Sequence, residues 1–360
     1  MQSRLPKYYR SEATRQAVAH RPITDRDLQI LETVGRFRLI PTSLLIRLLP
    51  GDRSVTYDRL KVLYHKQLVN RFHIPRLGPP DEFIYYLDNP DAGDILSDFG
   101  RSAEDIDLGT IQRNRENAYW RVNDPHTPRE HKPGLSGIYH ELMITRFQGC
   151  LELACQASGG TVGLIYYLRK KSVLKKSFPA PRMEYRVLDD GGEVWTETKD
   201  WSEWLTHNPD LFFGLHFLNL PEGDRDRYFA YEADRGTESV PRFAKKLRAH
   251  HQFILRQKHH QHIERKYGVK RVRAVVTETI SDESAVKLCN DAATHPMIAP
   301  KPSSLFWFTT SRMFTDGPRS APADAENDPY RVPYYLDNPQ IIFHNIWATA
   351  VDGNLYKLSD

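Results

Sequence analysis

Apolar residues recur at helical spacing three times near the start of the chain. In the first segment Leu28, Leu31 and Val34 fall three residues apart, which indicates a helix with one apolar face. Thr24, just ahead of them, is a typical N-cap residue. Residues 41–49 and 54–68 carry similar apolar patterns. Three consecutive helices are therefore predicted.

Two strand-like apolar runs follow the third helix, at residues 69–76 and 83–87. A Gly-Pro-Pro turn separates them, and this pattern is typical of a β-hairpin. Three helices and a hairpin together indicate a winged helix-turn-helix, predicted here over residues 23–88. Residues 1–22 are predicted to be a flexible basic arm.

The rest of the chain predicts a linker and a larger domain. Residues 89–133 are polar and interrupted by proline, which favours a linker. From residue 134 to residue 360, helical and strand-like patterns alternate, as in an α/β or α+β sheet domain. The predicted fold class is therefore α+β, with a small helical N-terminal domain and a larger C-terminal sheet domain.

Charge is unevenly distributed along the 360 residues, although the formal net charge is only +4. Residues 1–76 contain 15 Lys and Arg against 6 Asp and Glu, and residues 242–273 contain 11 against one. Two separated basic segments favour two contacts with a polyanion, and double-stranded DNA is the expected partner. The alternative is that the N-terminal module binds protein, or nothing.

The third predicted helix would enter the major groove, and the hairpin would touch the phosphate backbone. Arginine and hydroxyl side chains supply suitable donors for base edges. The candidate DNA-binding residues are Arg53, Thr56, Tyr57, Arg59 and Lys61 on the helix, with Arg71 and Arg76 on the hairpin.

Three cysteines, at positions 150, 155 and 289, form neither a disulfide framework nor a zinc motif. The N-terminus lacks the apolar core of a signal peptide, and no apolar run is long enough to span a membrane. These features favour the cytoplasm and no membrane partner.

A second hairpin is predicted over residues 208–234, and acidic side chains converge at one end of it. Glu232 and Asp234 share a face of the second strand, and Asp210 begins the first. Neighbouring carboxylates repel one another unless they share a proton or a cation, and Mg²⁺ prefers carboxylate oxygens. A magnesium site at Asp210, Glu232 and Asp234 is one interpretation. A strand-end aspartate and a solvated acidic pair are the other.

A basic helix follows the hairpin, from Ser239 onward. Phe243, Leu247, Phe253, Ile254 and Leu255 are predicted to face inward, with Lys245 and Lys246 elsewhere. A carboxylate cluster beside a basic helix suits a polyanion. Histidines also recur along this segment, and solvent or phosphate is their expected environment; they stand at positions 250, 251, 259, 260 and 262.

Two stretches of the chain resemble the bacterial plasmid replication-relaxation family. They are ITDRDLQILETVGRFRLI, with the helices after it, and PDLFF followed by YFAYEADRGTESVPRFAKKLRAH. The match covers roughly residues 23–280, and its most specific part is the ExDRGT segment. The resemblance implies a DNA-binding protein of plasmids or other mobile elements, acting in replication initiation or DNA relaxation. It makes replication or conjugation proteins candidate partners.

Pro209-Asp210 with Glu232-Ala233-Asp234 also resembles the signature of PD-(D/E)xK nucleases, which implies a restriction-nuclease-like sheet domain. In that fold an early helix often supplies another acid, for which Glu141 is the candidate. The signature lysine is replaced here by Asp234, so Lys245 or Lys246 would have to supply the amine.

Two functions remain open at this point. In the first, the chain is a Mg²⁺-dependent endodeoxyribonuclease that nicks DNA. In the second, it is a non-enzymatic regulator whose nuclease-like domain dimerises or clamps DNA.

Overall fold

The structure is a computed structural model that mixes helices with strands, in agreement with the predicted α+β class. It divides into two compact units. The first comprises Met1–Gly149 and Asn327–Val332, and the second comprises Cys150–Glu326 and Pro333–Asp360. The residues that the structure describes are 16, 18, 20–74, 82–101, 108–124, 126–169, 175–187, 189–191, 193–236, 239–255, 264, 268–269, 271–295, 298, 303–317, 333–352 and 354–360.

The first unit begins with the three predicted helices. They are α1 (Asp25–Phe37), α2 (Thr42–Leu48) and α3 (Arg53–His65). Thr24 caps α1 in a capping box, in which its backbone N–H donates to the Asp27 carboxylate at 2.8 Å. The start of α1 is therefore determined by the reciprocal hydrogen bonds between Thr24 and Asp27.

A three-stranded sheet completes this part of the first unit. Its strands are β1 (Ile40–Pro41), β2 (Asn70–His73) and β3 (Phe83–Tyr86), in the order β1-β3-β2. β2 and β3 pair antiparallel, which confirms the predicted pairing of the two apolar runs. The residues that join these two strands, 75–81, lie outside the described residues.

The polar stretch 89–133 contains helices that pack into the first unit. They are α4 (Asp91–Asp98), α5 (Leu108–Asn117) and the 3-10 turns Tyr119–Val122 and Arg129–His131. Tyr119 stacks on Phe72 of β2, with ring centroids 5.5 Å apart. The Asn123 side chain accepts from the backbone of His73 at 2.6 Å and donates to it at 2.7 Å. The stretch expected to be a linker is therefore anchored to β2.

The long helix α6 (Leu135–Ala157) is shared by the two units, because their division falls between Gly149 and Cys150. Its first half supplies Ile138 and Leu142 to the core of the first unit. The division therefore lies inside α6 and not at the predicted boundary between residues 133 and 134.

The second unit is built on a seven-stranded mixed sheet. The strands are β4 (Val162–Leu168), β9 (Leu211–Phe217), β10 (Asp226–Asp234), β11 (Val272–Thr279), β12 (Phe306–Thr310), β13 (Trp347–Thr349) and β14 (Leu355–Tyr356). Their order in the sheet is β14-β13-β12-β11-β10-β9-β4. β9 and β10 pair antiparallel, as the predicted hairpin requires, whereas β10, β11 and β12 are parallel.

Helices connect the parallel strands, since such strands need a long crossover. α7 (Val240–Leu255) lies between β10 and β11, and α8 (Asp282–Thr294) lies between β11 and β12. After β12 come α9 (Ser311–Thr315), α10 (Tyr334–Asp337) and the 3-10 helix Pro339–Phe343.

The apolar face of α7 forms much of the core of the second unit. Phe243, Leu247 and Phe253 are buried there with Ala230 of β10 and other sheet residues. Their inward orientation, and that of Ile254, was predicted correctly. Leu255 was assigned wrongly, because 49% of it is exposed.

In the sequence, a long two-stranded ribbon is inserted between β4 and β9, which are neighbours in the sheet. β5 (Lys176–Ala180) pairs with β8 (Glu203–His207), and β6 (Met183–Val187) pairs with β7 (Glu193–Glu197). Its base packs on α7 through Phe178 and Leu205. Among the helices that the structure describes, none has the length and apolar character to cross a membrane.

Candidate active site

Two carboxylates come together where β9 begins and β10 ends, because these strands are antiparallel neighbours. The Asp210 N–H donates to the carbonyl of Tyr231 at 3.1 Å. The Asp210 carboxylate in turn accepts from the Ala233 N–H at 3.0 Å. These two bonds hold Asp210 beside Glu232, as the hairpin pattern predicted.

Lys246 of α7 joins the two carboxylates. Its Nζ forms an ion pair with Oε2 of Glu232 and lies 3.8 Å from Oδ2 of Asp210. Glu232 is fully buried, whereas the side chains of Lys246 and Asp210 are 24% and 11% exposed. The cluster is therefore sealed around Glu232 and open to solvent beside Lys246 and Asp210.

His250 completes the surroundings of Glu232 from one helical turn beyond Lys246. The imidazole Nε2 lies 2.6 Å from Oε1 of Glu232, and both side chains are buried. Burial, together with the charge of Lys246, lowers the pKa of His250 to about 3. The imidazole is therefore neutral at physiological pH, and its Nε2 shares a hydrogen bond with the carboxyl group of Glu232.

The electrostatics of Glu232 reflect this enclosure. Burial raises the pKa of its carboxyl well above the ordinary value, the positive charge of Lys246 opposes the rise, and Asp210 adds to it. A carboxyl group in this setting binds a proton more readily than a solvated one.

Asp234 does not join the pair. Its two oxygens accept from the Gly236 N–H at 3.0 Å and from the Thr279 hydroxyl at 3.1 Å. Within the described part of the chain, no three His, Cys, Asp or Glu side chains are grouped so that they could hold a metal ion. Of the three carboxylates predicted to converge, Asp210 and Glu232 therefore lie together, whereas Asp234 is hydrogen-bonded to Thr279 at the end of β11.

The two adjacent lysines have different roles in the structure. The Nζ of Lys245 lies 3.5 Å from Glu203 of β8, and its side chain is 54% exposed. Arg248 also binds Glu203, at 2.5 Å. Lys245, Lys246 and Arg248 are therefore paired with acids, and of these three Lys246 contacts the carboxylate pair.

Glu141, the additional acid implied by the nuclease resemblance, belongs to the first unit. It lies on α6 and pairs with Arg38 at 3.7 Å. Glu141 therefore belongs to a different unit from Asp210 and Glu232.

A divalent cation fits the donors that remain. Mg²⁺ is usually held by one or two carboxylates and takes its other ligands from water and phosphate oxygens. Asp210 and Glu232 supply such a pair, and Lys246 already places a positive charge between them. These residues can therefore hold a cation, provided that Lys246 yields some of its contacts.

The candidate DNA-binding residues of α3 separate into two groups. Arg53 and Lys61 are exposed, and Tyr57 is 46% exposed. Lys61 makes only a surface ion pair with Asp58 at 3.3 Å. These three side chains remain candidates for contact with DNA.

The remaining predicted residues of α3 are engaged within the fold. Thr56 is 2% exposed, and its hydroxyl donates to the carbonyl of Asp52 at 3.3 Å. Arg59 binds the buried carboxylate of Asp27 and donates to the carbonyl of Pro22 at 3.0 Å. Both side chains therefore have partners within the fold, and their contact with DNA stays a prediction.

The hairpin residues also differ from expectation. The guanidinium of Arg71 lies between two aromatic rings, 4.4 Å from the centroid of Tyr64 and 4.0 Å from that of Phe83. This sandwich points to packing rather than to phosphate contact. Arg76 lies outside the described residues.

His250 was missed as a site residue because it was grouped with the solvated histidines of a basic helix. A signal was present in the sequence. Lys246 and His250 are four residues apart and so share a helix face, and both adjoin the apolar positions Phe243 and Leu247.

Comparison with known proteins gives one clear relationship. No curated protein and no solved structure matches the chain. Residues 31–267 match the family model described as replication-relaxation, which covers parts of both units and about two thirds of the chain. The chain therefore belongs to the replication-relaxation family, and this membership suggests a role in plasmid replication or relaxation.

Proposed function

We propose that this chain is a DNA-binding protein of a plasmid or other mobile element that nicks DNA during replication initiation or relaxation. The cleavage site would be Asp210, Glu232 and Lys246 of the second unit. One observation carries the proposal: the amine of Lys246 lies between two carboxylates held at the end of an antiparallel hairpin.

This arrangement supplies the groups that phosphodiester hydrolysis requires. A water oxygen forms a bond to phosphorus, the bond to one deoxyribose oxygen breaks, and that oxygen takes up a proton. Asp210 and Glu232 would hold Mg²⁺, which supplies Lewis-acid polarisation of the phosphate and a more acidic bound water. The partly exposed ammonium of Lys246 would stabilise the negative charge that develops on the phosphate oxygens.

The first unit would deliver the DNA. Three helices followed by an antiparallel hairpin support a winged helix-turn-helix, in which α3 enters the major groove. Arg53 and Tyr57 at the start of α3 would read base edges, and Lys61 would contact phosphate.

A plasmid-nicking assay tests the proposal. Supercoiled plasmid and purified full chain are incubated with Mg²⁺ or Mn²⁺, and nicked and linear products are quantified. Asp210→Asn and Lys246→Met should abolish cleavage, whereas Lys245→Met should retain it. Lys245 is the matched control, since it is the adjacent lysine and contacts Glu203 instead. Intact plasmid with wild-type protein at every metal concentration would refute the nuclease function.

A second candidate function is a non-enzymatic DNA-binding regulator whose second unit dimerises or clamps DNA. It is favoured by the fact that both oxygens of Glu232 are already engaged, one by Lys246 and one by His250. In that case Asp210→Asn would leave DNA binding unchanged, and divalent metal would not raise the Tm of the wild-type chain.

A further inference from the structure

His250 lies in the interior of the second unit with one polar contact that matters for the proposed site. Its Nε2 meets Oε1 of Glu232 at 2.6 Å, while Oε2 of the same carboxylate faces Lys246. The two oxygens of Glu232 therefore have different surroundings. One is turned toward the core, and the other is turned toward the amine and Asp210.

The imidazole packs against a ring from another element. His207 of β8 meets the ring of His250 edge-on, with centroids 4.7 Å apart. His207 is itself stacked on Phe253 of α7 at 4.2 Å. Both histidines are buried, so the orientation of the His250 ring is set by packing from the base of the β5–β8 ribbon.

We propose that His250 is a positioning residue that holds Glu232 by one oxygen and leaves only the other for a cation. This inference rests on the proposed function and adds a specific role that neither the carboxylate pair nor Lys246 performs. Without the hydrogen bond from His250, the Glu232 carboxylate could rotate, and either of its oxygens could then face Lys246. A buried carboxylate that takes several orientations binds a cation less tightly than one that is held in place.

The role of the ribbon follows from the same contacts. The charged groups near His250 come from two elements: Lys246 on its own helix, and Asp210 and Glu232 on the hairpin. The β5–β8 ribbon contributes the ring of His207 at this position. Its base would thus act on the cleavage site through ring packing on His250.

The test compares three substitutions in the full chain. His250→Leu removes the donor with little loss of apolar contact, and His250→Gln retains an amide N–H at a similar reach. Phe253→Leu is the control for stability, because it disturbs the same packing without touching Glu232. Two quantities are measured for each: the Mg²⁺ concentration at half-maximal nicking, and the rise in Tm produced by Mn²⁺ without DNA.

Loss of a residue that orients a metal ligand typically costs about 10–100-fold in metal affinity. We expect His250→Leu to raise the required Mg²⁺ concentration by a factor in this range and to lose the Mn²⁺-induced rise in Tm. His250→Gln should restore most of both. Phe253→Leu should lower the basal Tm and raise the metal requirement less than His250→Leu does.

Two outcomes would overturn the inference, and they are distinguishable. If wild-type protein nicks DNA and His250→Leu requires the same metal concentration, only the role of His250 is refuted. If wild-type protein neither nicks DNA nor gains stability from metal, the proposed function and this inference both fail.

Discussion

Lys245 and Lys246 are neighbours on α7, yet their removal should cost the fold very different amounts of free energy. Lys246 is paired with a carboxylate that is 0% exposed, whereas Lys245 is 54% exposed and is paired with one that is 22% exposed. Removing one partner of a buried pair typically costs about 3–5 kcal/mol. Removing an exposed partner costs about 0–1 kcal/mol. Lys246→Met should therefore destabilise the second unit far more than Lys245→Met.

The difference should depend on pH in a definite direction. Without Lys246, the pKa of Glu232 rises further above its ordinary value, since burial is no longer opposed by that charge. When a carboxyl group has a higher pKa in the folded state than in the unfolded state, the protein loses stability as the pH rises from the unfolded-state pKa through the folded-state pKa. The penalty of Lys246→Met should therefore be small near pH 4.5 and large near pH 8.

Urea unfolding followed by tryptophan fluorescence measures this penalty in the correct unit. Five of the six tryptophans, all except Trp120, lie in the second unit. Adding Glu232→Gln to Lys246→Met removes the unpaired carboxylate, so the double variant should regain stability relative to Lys246→Met alone. Equal losses for the two lysine variants, or no recovery in the double variant, would refute the assignment of Lys246 to Glu232.

Three further predictions test other contacts. Arg59→Ala removes the partner of the buried Asp27 carboxylate and should cost about 3–5 kcal/mol of stability. Arg53→Ala should leave the Tm unchanged and weaken specific DNA binding by about 1–3 kcal/mol. Because the pKa of His250 is lowered to about 3, the wild type should lose stability as pH falls below about 6.5, and His250→Gln should lose less. Tyr231→Phe removes a 2.7 Å bond to a buried carboxylate of β11 and should cost about 1–3 kcal/mol in urea unfolding.

Each of these has a clear contrary result. Gel shifts in which Arg59→Ala loses base specificity at full stability would return Arg59 to the DNA interface. Thermal melts with parallel pH profiles for wild type and His250→Gln would show that the imidazole is not kept neutral by burial. An unchanged urea midpoint for Tyr231→Phe would mean that Glu278 is satisfied without the phenol.

The local elements were predictable, because apolar spacing and caps are local properties of the chain. The capping box at Thr24, the β2–β3 and β9–β10 pairings and the buried face of α7 all follow from residues close in sequence. The pairing of β9 with β10 was enough to bring Asp210 beside Glu232. The ribbon between β4 and β9 was not predicted, since its exposed strands lack a continuous apolar face.

The features that could not be read from the sequence depend on contacts between distant residues. Composition marked residues 89–133 as a linker, but Asn123 and Tyr119 bind β2, which lies about fifty positions earlier in the chain. The choice between Lys245 and Lys246 stayed open because it depends on how α7 is rotated against β10. Asp234 was expected at the metal site from strand alternation, and its bond to Thr279 arises only from the parallel pairing with β11.

The division inside α6 has a consequence for how this protein can evolve. Domain boundaries usually fall in exposed linkers that few contacts cross, so an exchange of domains is best tolerated there. Here a junction at residues 133 and 134 would remove Ile138 and Leu142, which belong to the core of the first unit with Phe72 and Tyr86. A functional hybrid would have to inherit α6 at least as far as Gly149, where the backbone lies against Leu44 of α2. On the proposed function, a new DNA target should therefore be acquired by substitution on α3 rather than by exchange of the whole first unit.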